Sequence, residues 1–286
     1  EKGVNGMKKF LAVLCSLAVL TGGIGMFSGC NNDNDLIGFD IDLAKAVAEK
    51  LDLDIECRLI SWEAKETELS TGLIDVIWNG FTYDEDRAQN IDFTGYYMEN
   101  KQVAIVSKSN ESKYTDIESI KTASTFTAEA TSAGESVIED VLGKTNKEVS
   151  SQLMVFTEVS TGASDVGIVD STMAGYYITS ENGGYHDSLA VVDLGSSVSS
   201  EYYAIGCRKN SNFDDVLNNV LAGLWVDGTI KEIATEYGLQ DVIYNGFGTY
   251  DENFTYPEDG DYKEIKDAGK IILGYTVFAP MAYEKA

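Results

Sequence analysis

Apolar positions along the chain switch between a helical and an extended period. From Ala44 to Leu51 they recur at helical spacing, directly after Gly38-Phe39-Asp40-Ile41-Asp42-Leu43. A short strand is expected at Ile55 to Ile60, then a helix from about Ala64 to Ser70 that Gly72 terminates. Ile74-Asp75-Val76-Ile77-Trp78 is a short β-rich run and predicts a buried strand. A second alternating stretch begins near Ser109. It holds a helical turn at Ile117 to Ile120, a helix after Ala130-Thr131-Ser132, a buried strand at Asp165 to Val169 and a helix around Ser171 to Ile178. Such alternation predicts α/β layers with largely parallel sheets. Gln102 to Ser107 and Tyr202 to Arg208 are short, apolar and β-rich, and fit strands that cross between two lobes. Two crossings between two α/β lobes make a hinged pair with a cleft. Phe213, Leu217, Val220 and Leu224 form a helical stripe that reads as core. The first lobe is thus expected from 35–105, 202–243 and 262–286, the second from 106–201. The polar, acidic stretch 244–261 between helix and final strand reads as a linker.

The charge narrows the partners. With 47 acidic and 21 basic residues in 286, the formal net charge is −26. That surface repels nucleic acid and anionic lipid, and neither is expected as a partner. Met7-Lys8-Lys9 opens an apolar run through Leu20 that has the size of a signal-peptide core and is too short to span a bilayer. Phe27-Ser28-Gly29-Cys30, followed by Asn31-Asn32-Asp33, resembles a bacterial lipobox, with Phe27 where leucine is usual. Residues 7–30 are therefore expected to be a lipoprotein signal and Cys30 to carry the lipid. Cys15 would leave with the signal, so Cys57 and Cys207 remain, both in strand-like apolar stretches where buried thiols are the default. A disulfide between them stays open at this level. There is no CxxC or Cys/His cluster, and no metal or cofactor is expected.

Gly72-Leu73-Ile74-Asp75-Val76-Ile77-Trp78-Asn79-Gly80-Phe81-Thr82-Tyr83-Asp84-Glu85-Asp86-Arg87, followed by Ile91-Asp92-Phe93-Thr94, resembles a signature of solute-binding proteins that serve polar amino-acid importers. Those proteins open on a strand flanked by Gly-Lys and Gly, then an aromatic and a proline. Gly269-Lys270-Ile271-Ile272-Leu273-Gly274-Tyr275-Thr276-Val277-Phe278-Ala279-Pro280-Met281 looks like that opening, displaced to the far end. The order therefore resembles a circular permutation, which domains with neighbouring termini tolerate. The resemblance covers Leu36 to Asp241 and Lys263 to Met281. It implies the type II periplasmic-binding-protein fold, two α/β lobes joined by a hinge of two crossing strands. It also implies capture of a free α-amino acid for the membrane subunits of an ABC importer, by a lipid-anchored monomer at the outer face of the cell membrane.

An α-amino acid needs a base and an acid held close together. Arg87 suits the carboxylate through its bidentate fork, with Thr82 adding a hydroxyl and an amide beside Phe81. Asp84 reads as a helix cap. Thr131 and Ser132 match the second-lobe loop that receives the carboxylate and are expected to cap the helix there. Asp170, at a strand end, matches the ammonium-binding aspartate, with the Gly80 carbonyl as second acceptor. Trp62 and Phe278 match two aromatics that sandwich the ligand side chain. Tyr275 stands where relatives that bind basic amino acids carry an acid, which points to an uncharged polar ligand such as glutamine or cystine. His186, in a loop, carries no nucleophile motif and no catalytic residue is expected. A periplasmic dehydratase or a sensor domain on the same fold is the alternative.

Overall fold

The computed structural model of the chain describes residues 36–180 and 183–285, so the signal segment and Cys30 lie outside it. Two five-stranded sheets organise these residues. The first runs in the order Asp54–Leu59, Lys270–Tyr275, Val76–Ile77, Gly206–Arg208, Ile91–Phe93. Its first three strands are parallel and Gly206–Arg208 is antiparallel to both neighbours. The second runs Leu189–Val192, Gln102–Ser107, Val166–Asp170, Phe126–Glu129, Asn146–Val149. There Gln102–Ser107 is antiparallel to both neighbours and the remaining pairs are parallel. Both sheets are therefore mixed, because each takes in a strand returning from the other lobe.

The crossing itself lies elsewhere than the apolar runs suggest. Met98–Asn100 pairs antiparallel with Glu201–Tyr203 as a two-stranded ribbon. Gln102–Ser107 belongs wholly to the second sheet, and of Tyr202 to Arg208 only the first two residues are in the ribbon. Burial gives the reason. Val103 to Val106 are buried in succession, as in a strand covered on both faces, whereas Glu99 between buried Met98 and Asn100 faces solvent.

The helix Phe39–Leu51 buries Phe39, Ile41, Leu43, Ala44, Val47, Ala48 and Leu51 and packs on the helix Phe213–Val226. The helical stretch after Phe213 is broken at Gly228, whose φ of 88° starts a second helix, Thr229–Glu236. Residues 244–259 contain no helix or strand, yet they are strapped to the first lobe. Tyr244 and Gly246 donate to the carbonyls of Tyr97 and Tyr96 at 2.8 Å, and the Asn219 side chain holds both the N–H and the carbonyl of Asp251. Gly246 is needed there: a Cβ would sit 2.5 Å from the Tyr96 nitrogen.

The strand Lys270–Tyr275 is an interior strand of the first sheet, paired on both sides, with Ile271 and Leu273 fully buried. The segment after it folds back on the beginning of the described chain. Leu36–Ile37 pairs with Tyr283–Glu284, and the N–H groups of Phe39 and Asp40 donate to the Pro280 and Met281 carbonyls at 2.9 and 3.0 Å. Cys57 and Cys207 lie in one row of this sheet, through Leu273 and Val76. Three strand spacings, roughly 14 Å, separate them, about twice the reach of a disulfide. Cys207 is fully buried, and burial pushes its thiol pKa up.

Candidate ligand cleft

The loop after Val76–Ile77 sets the first wall. Gly80 has φ +57° and donates its N–H to Asp40 Oδ2 at 2.6 Å. A Cβ on Gly80 would come within 2.6 Å of the Phe278 ring, so glycine lets that ring lie against the backbone. Asp84 Oδ1 accepts the N–H groups of Asp86 and Arg87 at 2.9 and 3.0 Å, the capping role expected of it. This turn aims Arg87 back over the Phe81 ring, its guanidinium carbon 5.1 Å from the centroid. One guanidinium nitrogen donates to the Thr82 carbonyl at 2.9 Å, the other to the Thr131 carbonyl of the second lobe at 3.0 Å.

Sequence reasoning missed the second cation at this place. Lys65 is 2% exposed, and its Nζ donates to Trp62 O, Thr131 Oγ1 and Thr131 O at 3.1, 3.1 and 3.4 Å. Burial, with Arg87 adding to it, lowers the amine to about 8. Nothing in the sequence around Lys65 distinguishes it from a solvated lysine on a polar helix.

Thr131 and Ser132 do not share the capping role expected of them. Ser132 alone is the cap of the helix Ala133–Ser136, its Oγ accepting the Glu135 N–H at 3.3 Å. Thr131 has φ +58°, outside helical geometry, and its N–H is taken by Glu135 Oε2 at 2.7 Å. That conformation leaves its carbonyl and hydroxyl as acceptors for Lys65 and Arg87.

Asp170 closes the strand Val166–Asp170 and is 5% exposed. Its Oδ1 accepts from Gln102 Nε2 at 2.9 Å, from the Tyr203 hydroxyl at 2.8 Å and from the Asn100 amide, while Oδ2 accepts from the Gln152 amide. Glu201 is a second acid that the sequence did not single out. Its Oε1 accepts from Thr82 Oγ1, Asn100 Nδ2 and Gln102 Nε2 at 3.1, 2.6 and 2.7 Å. Two amides thus bridge two carboxylates. Loss of water raises both pKa values, Glu201 to about 7 with the Asp170 charge adding to it. Asn100 and Glu201 come from the crossing ribbon, so hinge and cleft share residues.

Two rings form the side walls. Trp62 meets Phe81 edge-on at 5.5 Å, and Phe278 meets Tyr203 edge-on at 6.4 Å. With Asn79, Glu129, Gln152, Thr276 and Val277 they line a small cavity between the sheets. Tyr275 is not among the lining residues; it is half-buried against the core. An acid enters this lining from the other lobe instead. Glu129 ends the strand Phe126–Glu129, is 4% exposed, and has an Oε1 with no hydrogen-bond partner. Burial, followed by the Asp170 charge, raises it to about 8 against the pull of Lys65. The lone His186 is elsewhere, in a loop with Nδ1 2.9 Å from the Ile178 carbonyl.

Residues 26–240 match the bacterial extracellular solute-binding proteins, family 3, and the chain belongs to that family. A probable histidine-binding protein of Neisseria gonorrhoeae is 24% identical over 216 residues, covering 74% of this chain and 78% of that one. An ABC uptake transporter substrate-binding protein of Streptococcus pneumoniae, solved with bound histidine, superposes with a TM-score of 0.66. It is 30% identical over 72% of this chain and 85% of its own. An ancestral amino-acid-binding protein, described as a precursor of cyclohexadienyl dehydratase, gives a TM-score of 0.63 at 28% identity, over 70% and 84% of the two chains. The fold is the two-lobed type II architecture of periplasmic amino-acid-binding proteins.

Proposed function

We propose that this member of the extracellular solute-binding family captures a free α-amino acid in the cleft between its sheets and presents it to an ABC importer. The observation that carries the reading is the opposition of charge across a few residues: Arg87 and Lys65 meet at Thr131, while Asp170 and Glu201 sit at the hinge. An α-carboxylate would take the Arg87 fork from the Thr82 and Thr131 carbonyls, with the Ser132 hydroxyl and the Thr82 side chain beside it. The α-ammonium would go to Asp170 and the Gly80 carbonyl. In binding, ligand groups replace hydrogen bonds the cleft now makes within itself, and closure is favoured by what the ligand adds across the two lobes.

Isothermal titration checks this directly. Arg87→Ala and Asp170→Ala are expected each to weaken amino-acid binding at least a hundredfold with the melt still cooperative. Affinity retained in either variant removes that residue from the site. The protein binds without converting its ligand: the acids of the hinge are engaged by amides and hydroxyls rather than by a proton-transfer partner. Recovery of the bound amino acid unchanged after long incubation is the expected outcome, and a product would overturn it. The uncharged polar ligand suggested by Tyr275 has a rival reading in Glu129, which brings an acid to the lining from the other lobe.

The order of strands is read as a circular permutation. Its support is that Lys270–Tyr275 is inserted between Asp54–Leu59 and Val76–Ile77, while the Pro280 and Met281 carbonyls accept from the Phe39 and Asp40 N–H groups. Anchoring through Cys30 at the outer face of the cell membrane rests on the lipobox alone. Fatty-acid labelling that disappears in Cys30→Ser is the expected result.

A further inference from the structure

The lining of the cavity permits an inventory of hydrogen-bonding capacity, side chain by side chain. Gln152 uses its amide on Asp170 Oδ2 and its oxygen on the Asp170 N–H at 3.1 Å. Asn79 uses its amide on Thr276 Oγ1 at 2.8 Å. Lys65, behind Trp62, directs its ammonium to three acceptors. Two buried acceptors of the lining have no partner, Asn79 Oδ1 and Glu129 Oε1, each on a residue under 5% exposed. Both are acceptors, one from each lobe, and one is a carboxylate. An acceptor buried without a donor is costly, and a buried carboxylate more so. A ligand that ended in a carboxylate or a carbonyl would add a third acceptor to this pair. A ligand that ended in N–H groups would satisfy both, and a positive charge would also neutralise Glu129. The rings of Trp62 and Phe278 on the same lining give a flat or compact cation a favourable face.

We propose that the cleft selects an α-amino acid whose side chain ends in a cationic N–H group (guanidinium, imidazolium or ammonium), held by Glu129 and Asn79 between Trp62 and Phe278. This rests on the reading of the cleft as an amino-acid site. Burial lifts Glu129 to about 8, which accords with a carboxyl still lacking its counter-charge.

The test is a calorimetric panel on the unaltered protein: arginine, lysine and histidine against citrulline and glutamine. Citrulline keeps the shape of arginine while replacing the charged end by a carbonyl. At least one cationic amino acid is expected to bind a hundredfold or more tighter than citrulline and glutamine, and its identity tells which of the three end groups fits. Glu129→Gln, which keeps the shape, is expected to cut that preference below tenfold. A neutral amino acid that binds as tightly as all three cations overturns the selection and leaves the amino-acid site standing. A preference that survives Glu129→Gln unchanged overturns the assignment to Glu129. If no amino acid binds or raises the melting temperature of a cooperatively melting protein, the underlying reading fails with it.

Discussion

The two lobes reach similar sheets by different routes through the chain. Every strand of the second sheet lies between Gln102 and Val192, in one uninterrupted stretch. The first sheet is collected from three separated stretches, 54–93, 206–208 and 270–275, and one of its interior strands, Lys270–Tyr275, comes from the last part of the chain. Loop closure costs more for distant pairings, and folding slows as contacts become less local. The second lobe can therefore form from its own sequence. The first keeps an open slot between Asp54–Leu59 and Val76–Ile77 until residues 270–275 arrive.

Leu273→Asp puts the sharpest strain on that contrast. Leu273 is fully buried between two strands, and an unpaired charge there is expected to cost upward of about 4 kcal/mol. Hydrogen exchange should show Asp54–Leu59 and Val76–Ile77 losing protection while Phe126–Glu129 and Val166–Asp170 keep theirs. Simultaneous loss in both sheets would mean that the lobes share one cooperative unit despite their separate origins.

A smaller effect concerns pH and belongs to the first lobe. Asp40 is fully buried, accepts from Gly80 N–H and the Tyr97 hydroxyl, and is raised by burial from 3.8 to about 7. A carboxyl whose folded pKa is raised binds its proton more tightly in the folded state. Its contribution is full below the unfolded pKa and is lost as pH climbs to about 7. The stability of the unaltered protein relative to Asp40→Asn should fall across that window by at most roughly 4 kcal/mol and then level off. Chemical denaturation at several pH values measures this, and a flat difference would show that Asp40 does not titrate there.

The smallest effects should be equal in the two lobes. Asp84→Ala in the first and Ser132→Ala in the second each remove a cap and are expected to cost about 1 kcal/mol in denaturant melts. Caps are local, so the separation that distinguishes the sheets should not appear in them.

Fold class was legible because α/β alternation is a periodic signal, and most elements fell within a residue or two of their expected places. The crossing was misplaced by a few residues, since an unbroken apolar run marks a strand buried on both faces and the real ribbon carries Glu99 and Glu201. The strap at 244–259 was read as a linker because its attachments are backbone hydrogen bonds and a single asparagine, which leave no compositional trace. In the cleft, Arg87, Asp170, Trp62 and Phe278 stood out through a motif. Lys65, Glu129 and Glu201 did not, because a lysine or glutamate becomes special only when tertiary packing strips its water away.

Of the chain's three tryptophans, Trp78 is fully buried and Trp225 lies on the helix Phe213–Val226, while Trp62 alone lines the cleft, with Lys65 Nζ 4.8 Å from its ring. Indole emission responds to nearby charge and to the polarity of its surroundings. Ligand arriving beside Trp62 will shift the colour and intensity of one emitter against a steady background from the other two, so the protein reports its own occupancy to a fluorimeter without any label.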